Sequence, residues 1–97
     1  MIVIHGGVTV DPTRVDEVTE AAKAFVAETA KEEGFLEYTL SWDVTQPNRI
    51  RLLEAWTDAD TSAAHGVAAH TKDWTTLISA AALEAPKFYK YDAELIG

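Results

Sequence analysis

The run Gly34-Phe35-Leu36-Glu37-Tyr38 opens the region on which the choice of architecture turns, which continues through Trp42-Asp43, Gln46-Pro47-Asn48 and Glu54-Ala55-Trp56 to His65, His70 and Trp74. All three tryptophans and two of the three histidines lie inside it. Residues 35–43 alternate, with Leu36, Tyr38, Leu40 and Trp42 on one face and Phe35, Glu37, Thr39, Ser41 and Asp43 on the other. Alternation of period two is the mark of a strand. Residues 44–48, Val-Thr-Gln-Pro-Asn, form a turn. A second strand at 49–57 then places Ile50, Leu52, Glu54 and Trp56 together, opposite Arg49, Arg51, Leu53 and Ala55. The pair reads as a hairpin with a loop longer than two residues.

Outward from this hairpin the period changes. Thr57-Asp58-Ala59-Asp60 starts a helix, on which Val67, His70, Trp74, Leu77, Ile78 and Ala81 share a face until Pro86. Gly66 and the polar Thr71-Lys72-Asp73 point to an interruption near 66–73 that splits it in two. Toward the N-terminus, residues 2–10 form a strand with Ile2, Ile4, Val8 and Val10 on one face and His5 on the other. Gly6-Gly7 weakens that strand unless a bulge or a closely approaching backbone or ligand requires it. Asp11-Pro12 caps and starts a helix expected over 12–33, with Gly34 as its left-handed cap. Residues 87–96 complete the set as a last strand alternating through Tyr89, Tyr91, Ala93 and Leu95.

The order β-α-β-β-α-β is that of the ferredoxin-like α+β fold, an antiparallel sheet with both helices on one face, in one domain spanning 1–97. Several strands carry apolar side chains on both faces, and two helices cover only one. The patterning therefore predicts that a second copy covers the other sheet face, with Tyr89 and Tyr91 in the contact.

Composition narrows the function. The formal charge of -8 over 97 residues repels phosphate backbones and anionic lipids, so neither nucleic acid nor a membrane is an expected partner. With no cysteine, thiolate catalysis, disulfides and thiolate metal sites are excluded, and the expected compartment is the cytoplasm. Met1-Ile2-Val3-Ile4-His5 has neither the basic region nor the apolar length of a signal peptide.

Among residues suited to chemistry, His70 lies on the apolar stripe with Val67 and Trp74. It is either a half-buried histidine bonded to the protein or a base in a dry pocket, a task for which an imidazole titrating near ~6.5 is suited. His65 precedes it by five residues, which on an unbroken helix turns it by about 140°. Only a kink would bring both into one cavity. Two histidines at this spacing do not make a metal site. Glu54, on a mostly apolar face, needs a partner such as Arg49, Arg51 or a histidine, or else a raised pKa. Tyr38, Trp56 and Trp74 serve either as core or as pocket wall, and His5 beside the glycine pair is either a plain strand residue or a pocket residue.

Taken together, Gly34-x-x-x-Tyr38, Asp43, Pro47, Glu54-x-Trp56, His65, His70 and Trp74 resemble the pattern of antibiotic biosynthesis monooxygenase domains over nearly the whole chain. The resemblance implies a dimeric α/β barrel with a pocket between helices and sheet. It also implies a cofactor-independent monooxygenase, needing neither metal nor flavin, that brings dioxygen to a small aromatic, quinol or polyketide-like substrate. On this reading the candidate catalytic residues are His70, His65 and Glu54, and the candidate substrate contacts are Tyr38, Trp56, Trp74 and His5. The haem-degrading branch fits less well. Its first-strand Asn is replaced here by His5-Gly6-Gly7, His65 stands where its helix Trp belongs, and Trp74-Thr75 stand where its axial His belongs. Isomerase or decarboxylase chemistry on the same barrel, or plain small-ligand binding, are the alternatives.

Overall fold

The computed structural model describes residues 1–97 and runs β1 (Ile2–Thr9), α1 (Val15–Thr29), β2 (Phe35–Trp42), β3 (Arg49–Trp56), α2 (Ala59–Gly66), α3 (Ala69–Ala81) and β4 (Lys87–Asp92). The strands form one sheet in the order β2-β3-β1-β4, with every neighbouring pair antiparallel. This is the ferredoxin-like α+β arrangement expected from the element order.

The helices lie on the sheet face that carries Ile2, Val8, Tyr38, Ile50 and Trp56. These side chains pack with Val18 and Phe25 of α1 and Ile78 and Ala81 of α3 in two adjoining apolar clusters. Leu40 and Trp74 border both clusters and tie them together. No helix is long and apolar enough to cross a membrane.

Local chemistry accounts for the boundaries. The Asp11 carboxylate accepts the Thr13 N–H at 2.9 Å, and Pro12 occupies the first position of a single 3-10 turn, Pro12–Arg14, that leads into α1. α1 is shorter than the 12–33 expected. Thr29 folds its hydroxyl back onto the Phe25 carbonyl at 2.8 Å, and the chain leaves the helix through a turn at 30–33. Gly34, at φ 78°, is therefore not the cap of α1 but the corner from which β2 departs. A Cβ there would stand 2.4 Å from the Thr61 side chain of α2, so the glycine also permits α2 to close over this corner.

The alternation of β2 fails at one place. Phe35 pairs with Trp56 and Glu37 with Ala55, so Leu36 is an extra residue, a β-bulge. Phe35 consequently turns inward and meets the Trp56 ring edge-on at 6.2 Å, on the same side as Tyr38, while Leu36 is exposed. β1 carries no bulge at its glycines. Gly6 is there because a Cβ would lie 2.6 Å from the Phe88 ring and closer still to the Lys87 carbonyl of β4. β4 ends at Asp92 rather than at 96.

The expected interruption of the second helix is confined to Val67 and Ala68. Asp58 caps α2 by accepting the Thr61 N–H at 2.8 Å. After the break, the Thr71 hydroxyl donates to the His65 carbonyl at 2.7 Å, binding α3 to the end of α2.

Cross-strand pairing places Val3, His5, Leu53, Tyr89 and Tyr91 on the sheet face away from the helices. Leu53, Tyr89 and Tyr91 are exposed there.

Candidate functional site

Between the sheet and the helices lies a cavity of about 440 Å³. Its floor is Ile4 and Val8 of β1, Tyr38 and Leu40 of β2, Ile50, Leu52 and Glu54 of β3, and Phe88 and Lys90 of β4. Its roof is Ser62, His65, Thr71, Trp74 and Ile78 from α2 and α3. A larger cavity of about 520 Å³ lies between α1 and β2, but His65 and Glu54 do not line it. The chemistry-bearing groups converge in the first of these spaces, which matches the usual ligand pocket of mostly apolar walls and a few polar groups.

Glu54 is buried at 5 % exposure on the floor, and its Oε1 accepts the indole N–H of Trp56 at 2.7 Å. None of the expected charged partners pairs with it, since Arg49 pairs with Glu84 and Arg51 with Asp43. Burial holds the Glu54 carboxyl above its usual range. The Trp56 hydrogen bond and the nearby His65 and Lys90 oppose this, while Glu32 adds to it. Tyr38 stands directly across from Glu54 on β2. Burial first, then the charges of Glu54 and Glu32, raise its phenol far above the ordinary value, so Tyr38 enters any reaction as a neutral O–H.

His65 is buried at 5 % exposure in the last turn of α2. Its ring stacks on Trp56 at a centroid distance of 4.8 Å and lies 5.2 Å from Tyr38. Nδ1 is 2.7 Å from Oε2 of Glu32. Nε2 has no hydrogen-bond partner in the protein, yet no side-chain nitrogen or oxygen is both buried and unpartnered. Nε2 is therefore open to the cavity that His65 lines.

His70 is placed differently. It lies outside this cavity, in a separate surface groove with Phe25, Glu28, Asp73 and Leu77. The Phe25 and Trp74 rings, stacked at 5.2 Å, border that groove beside it. Its Nε2 is 2.9 Å from the same Glu32 oxygen that His65 approaches. The break at Val67-Ala68 does bring the two imidazoles to 6.1 Å, but around a shared carboxylate rather than a shared hollow.

Glu32, His65 and His70 are the set whose donor atoms, all within 4.8 Å, could in principle hold a metal ion. Ligands at about 2.1 Å from a tetrahedral metal stand about 3.4 Å apart. The 2.7 and 2.9 Å separations are instead those of charge-assisted hydrogen bonds.

Of the residues singled out in the sequence, Tyr38, Glu54, His65 and Trp74 line one cavity. Trp56 is fully buried beneath it, holding Glu54 and backing His65. His5 is on the opposite sheet face, stacked between Tyr89 at 5.2 Å and Tyr91 at 5.7 Å. Alternation had already put His5 opposite Ile4, and the placement of the helices decides that this is the outer side. Glu32, Phe88 and Lys90 are among the site and cavity residues that escaped the sequence reading. Glu32 sits in an ordinary charged run, Lys31-Glu32-Glu33, with no local signal. Phe88 and Lys90 alternate with the tyrosines of β4 and would have been found by asking which β4 face meets Ile4.

The family model described as antibiotic biosynthesis monooxygenase matches residues 1–77. This chain belongs to that family. Among solved structures, a conserved protein from Methanosarcina mazei is 26% identical at a TM-score of 0.90, covering 96% of this chain and 92% of its own. A protein of unknown function from Bacteroides thetaiotaomicron, described as a possible oxidoreductase, is 30% identical at a TM-score of 0.84, with 93% and 94% covered. A Nitrosomonas europaea protein provisionally named an antibiotic biosynthesis monooxygenase is 22% identical at a TM-score of 0.89, with 96% and 98% covered, a likeness of fold alone. No curated protein matches the chain. The matched residues take in β1 to α2 and most of α3, and end before Ile78 and β4.

Proposed function

We propose that this protein is a cofactor-independent monooxygenase acting on a small aromatic, quinol or polyketide-like substrate, with His65 as the base. The observation that carries this reading is the unpartnered Nε2 of a buried His65 facing a largely apolar cavity of about 440 Å³.

The chemistry asks little else of the protein. Triplet dioxygen reacts slowly with closed-shell molecules, but a phenolate or enolate can give it one electron. His65 takes the acidic proton. The Tyr38 O–H is placed to hydrogen-bond the oxyanion, and Trp74, Leu40, Leu52 and Ile78 keep water away. The substrate anion and dioxygen then form a radical pair that combines through a new C–O bond to a peroxide. Cleavage of the O–O bond leaves a carbonyl on the substrate and releases one water. A CH2 thus becomes C=O with one oxygen atom from dioxygen, and no external reductant is consumed.

The test is oxygen uptake by chelator-treated protein offered a panel of hydroquinones and anthrones, with wild type compared against His65→Gln. Uptake that disappears in the variant supports the reading. No uptake with any member of the panel removes it. Turnover persisting without oxygen would move the assignment to an isomerase or decarboxylase, and saturable binding without turnover to a ligand carrier.

The outer sheet face, with Leu53, Tyr89 and Tyr91 exposed, supports a homodimer closed sheet to sheet. The lack of cysteine suits a reducing cytoplasm.

A further inference from the structure

One atom, Oε2 of Glu32, links a histidine of the cavity to a histidine of the surface groove behind it. His65 of α2 reaches it from inside at 2.7 Å, and His70 of α3 from outside at 2.9 Å. Glu32 itself belongs to neither helix, standing in the turn at 30–33 before Gly34. We infer that Glu32 is the positioning residue of the site, fixing the tautomer of His65 that leaves Nε2 a free base, and that His70 anchors Glu32 for this task. The inference rests on the proposed role of His65.

The argument is one of donors and acceptors. A carboxylate offers lone pairs only. Each ring nitrogen facing Oε2 therefore carries a hydrogen. For His65 that nitrogen is Nδ1, so in the neutral ring the lone pair belongs to Nε2, which faces the cavity. The other tautomer would set a lone pair of Nδ1 against Oε2 and put an N–H where the base must be. When Nε2 accepts a proton, the imidazolium forms against the Glu32 carboxylate, which stabilises the charge without taking the proton.

The remaining groups around the ring leave this assignment to Glu32. Phe25, Tyr38 and Trp56 present ring faces or edges to His65, and the acid of the cavity, Glu54, shares no hydrogen bond with it and accepts from Trp56. Lys90 stands across the cavity floor. On the outer side, Glu28 and Asp73 line the groove with His70 but share no hydrogen bond with it. With 26 % of its side chain exposed, His70 has no direct contact with the cavity, so its part is confined to holding Glu32. The arrangement exists only because the break at Val67-Ala68 brings a buried and a peripheral histidine around one carboxylate.

Nitrogen-15 NMR of ring-labelled protein reads the tautomer directly and needs no substrate. In wild type, the neutral His65 ring is expected to show a protonated Nδ1 and an unprotonated Nε2. Glu32→Gln can offer its amide N–H to Nδ1, and the tautomer is expected to reverse or become mixed. With it the oxygen-uptake rate should fall by about 100-fold or more, the range of a lost general base. His70→Gln should keep the wild-type tautomer and lose less than about 10-fold. An Nε2-protonated neutral ring in wild type overturns the inference, as does an unchanged tautomer in Glu32→Gln; the wild-type spectrum decides even if the variant does not fold. A held tautomer without turnover would remove the oxygenase reading and leave the positioning role standing. Wild-type turnover in a Glu32→Gln protein with an altered tautomer would overturn both the catalytic part of the inference and the assignment of His65 as the base, and leave the oxygenase reading itself standing.

Discussion

Replacing Trp56 by Phe tests the link between the buried carboxyl and the fold. The indole N–H that Glu54 accepts at 2.7 Å is lost, and Glu54 has no other protein partner at 5 % exposure. A hydrogen bond to a charged group contributes about 1.5–3 kcal/mol. The missing pyrrole edge, roughly two methylene equivalents at a fully buried site, adds about 1.5 kcal/mol. The expected loss is therefore about 3–4.5 kcal/mol, a large share of the ~5–15 kcal/mol of an ordinary domain. Urea unfolding at neutral pH measures it, and the same substitution in a Glu54→Gln background separates the two contributions. Gln still accepts an N–H but as a neutral group worth about 0.5–1.5 kcal/mol, so the cycle should show a coupling of about 1 kcal/mol. The sign with pH is also fixed. Burial already raises the Glu54 carboxyl above its ordinary range. A carboxyl whose folded pKa is raised stabilises the fold only while protonated, and that stability is lost as pH climbs from the unfolded value through the folded one. Removing the indole, which opposes the rise, must widen this window, so Trp56→Phe should go on losing stability to a higher pH than wild type and lose more in total. A coupling of zero, or a loss that ends at the same pH as in wild type, would refute the view that Trp56 holds an ionisable Glu54 in the core.

His65→Gln should lower oxygen uptake by on the order of 10²–10⁴-fold while leaving the urea midpoint within reach of wild type, because the loss falls on proton transfer. Tyr38→Phe should reduce turnover by about 10-fold and leave folding near wild type, and in the intact protein an alkaline absorbance titration should leave one of the three tyrosines un-ionised until the chain unfolds. Gly34→Ala combines a left-handed backbone, costing about 1–2 kcal/mol, with a Cβ 2.4 Å from Thr61, so thermal unfolding should show a loss above 2 kcal/mol. Leu53→Glu, on the outer sheet face, should shift the mass seen by light scattering from dimer to monomer without unfolding the subunit.

The order of elements was legible in the chain alone, because alternation of period two and stripes of period 3.6 follow from backbone geometry that each segment carries by itself. So were an interruption near 66–73, the need of Glu54 for a partner, and a second apolar sheet face. Packing set what those features face. The bulge at Leu36 sends Phe35 inward, which no alternation pattern announces. The position of the helices sets His5 outside and Lys90 inside. Glu54 meets an indole two residues along its own strand instead of an arginine, because both arginines on β3 project from the opposite face. Above all, Glu32, His65 and His70 are remote in the chain and meet only when the turn after α1 closes over the α2–α3 break. Local propensities are short-ranged, and a site assembled from three elements is written in their packing.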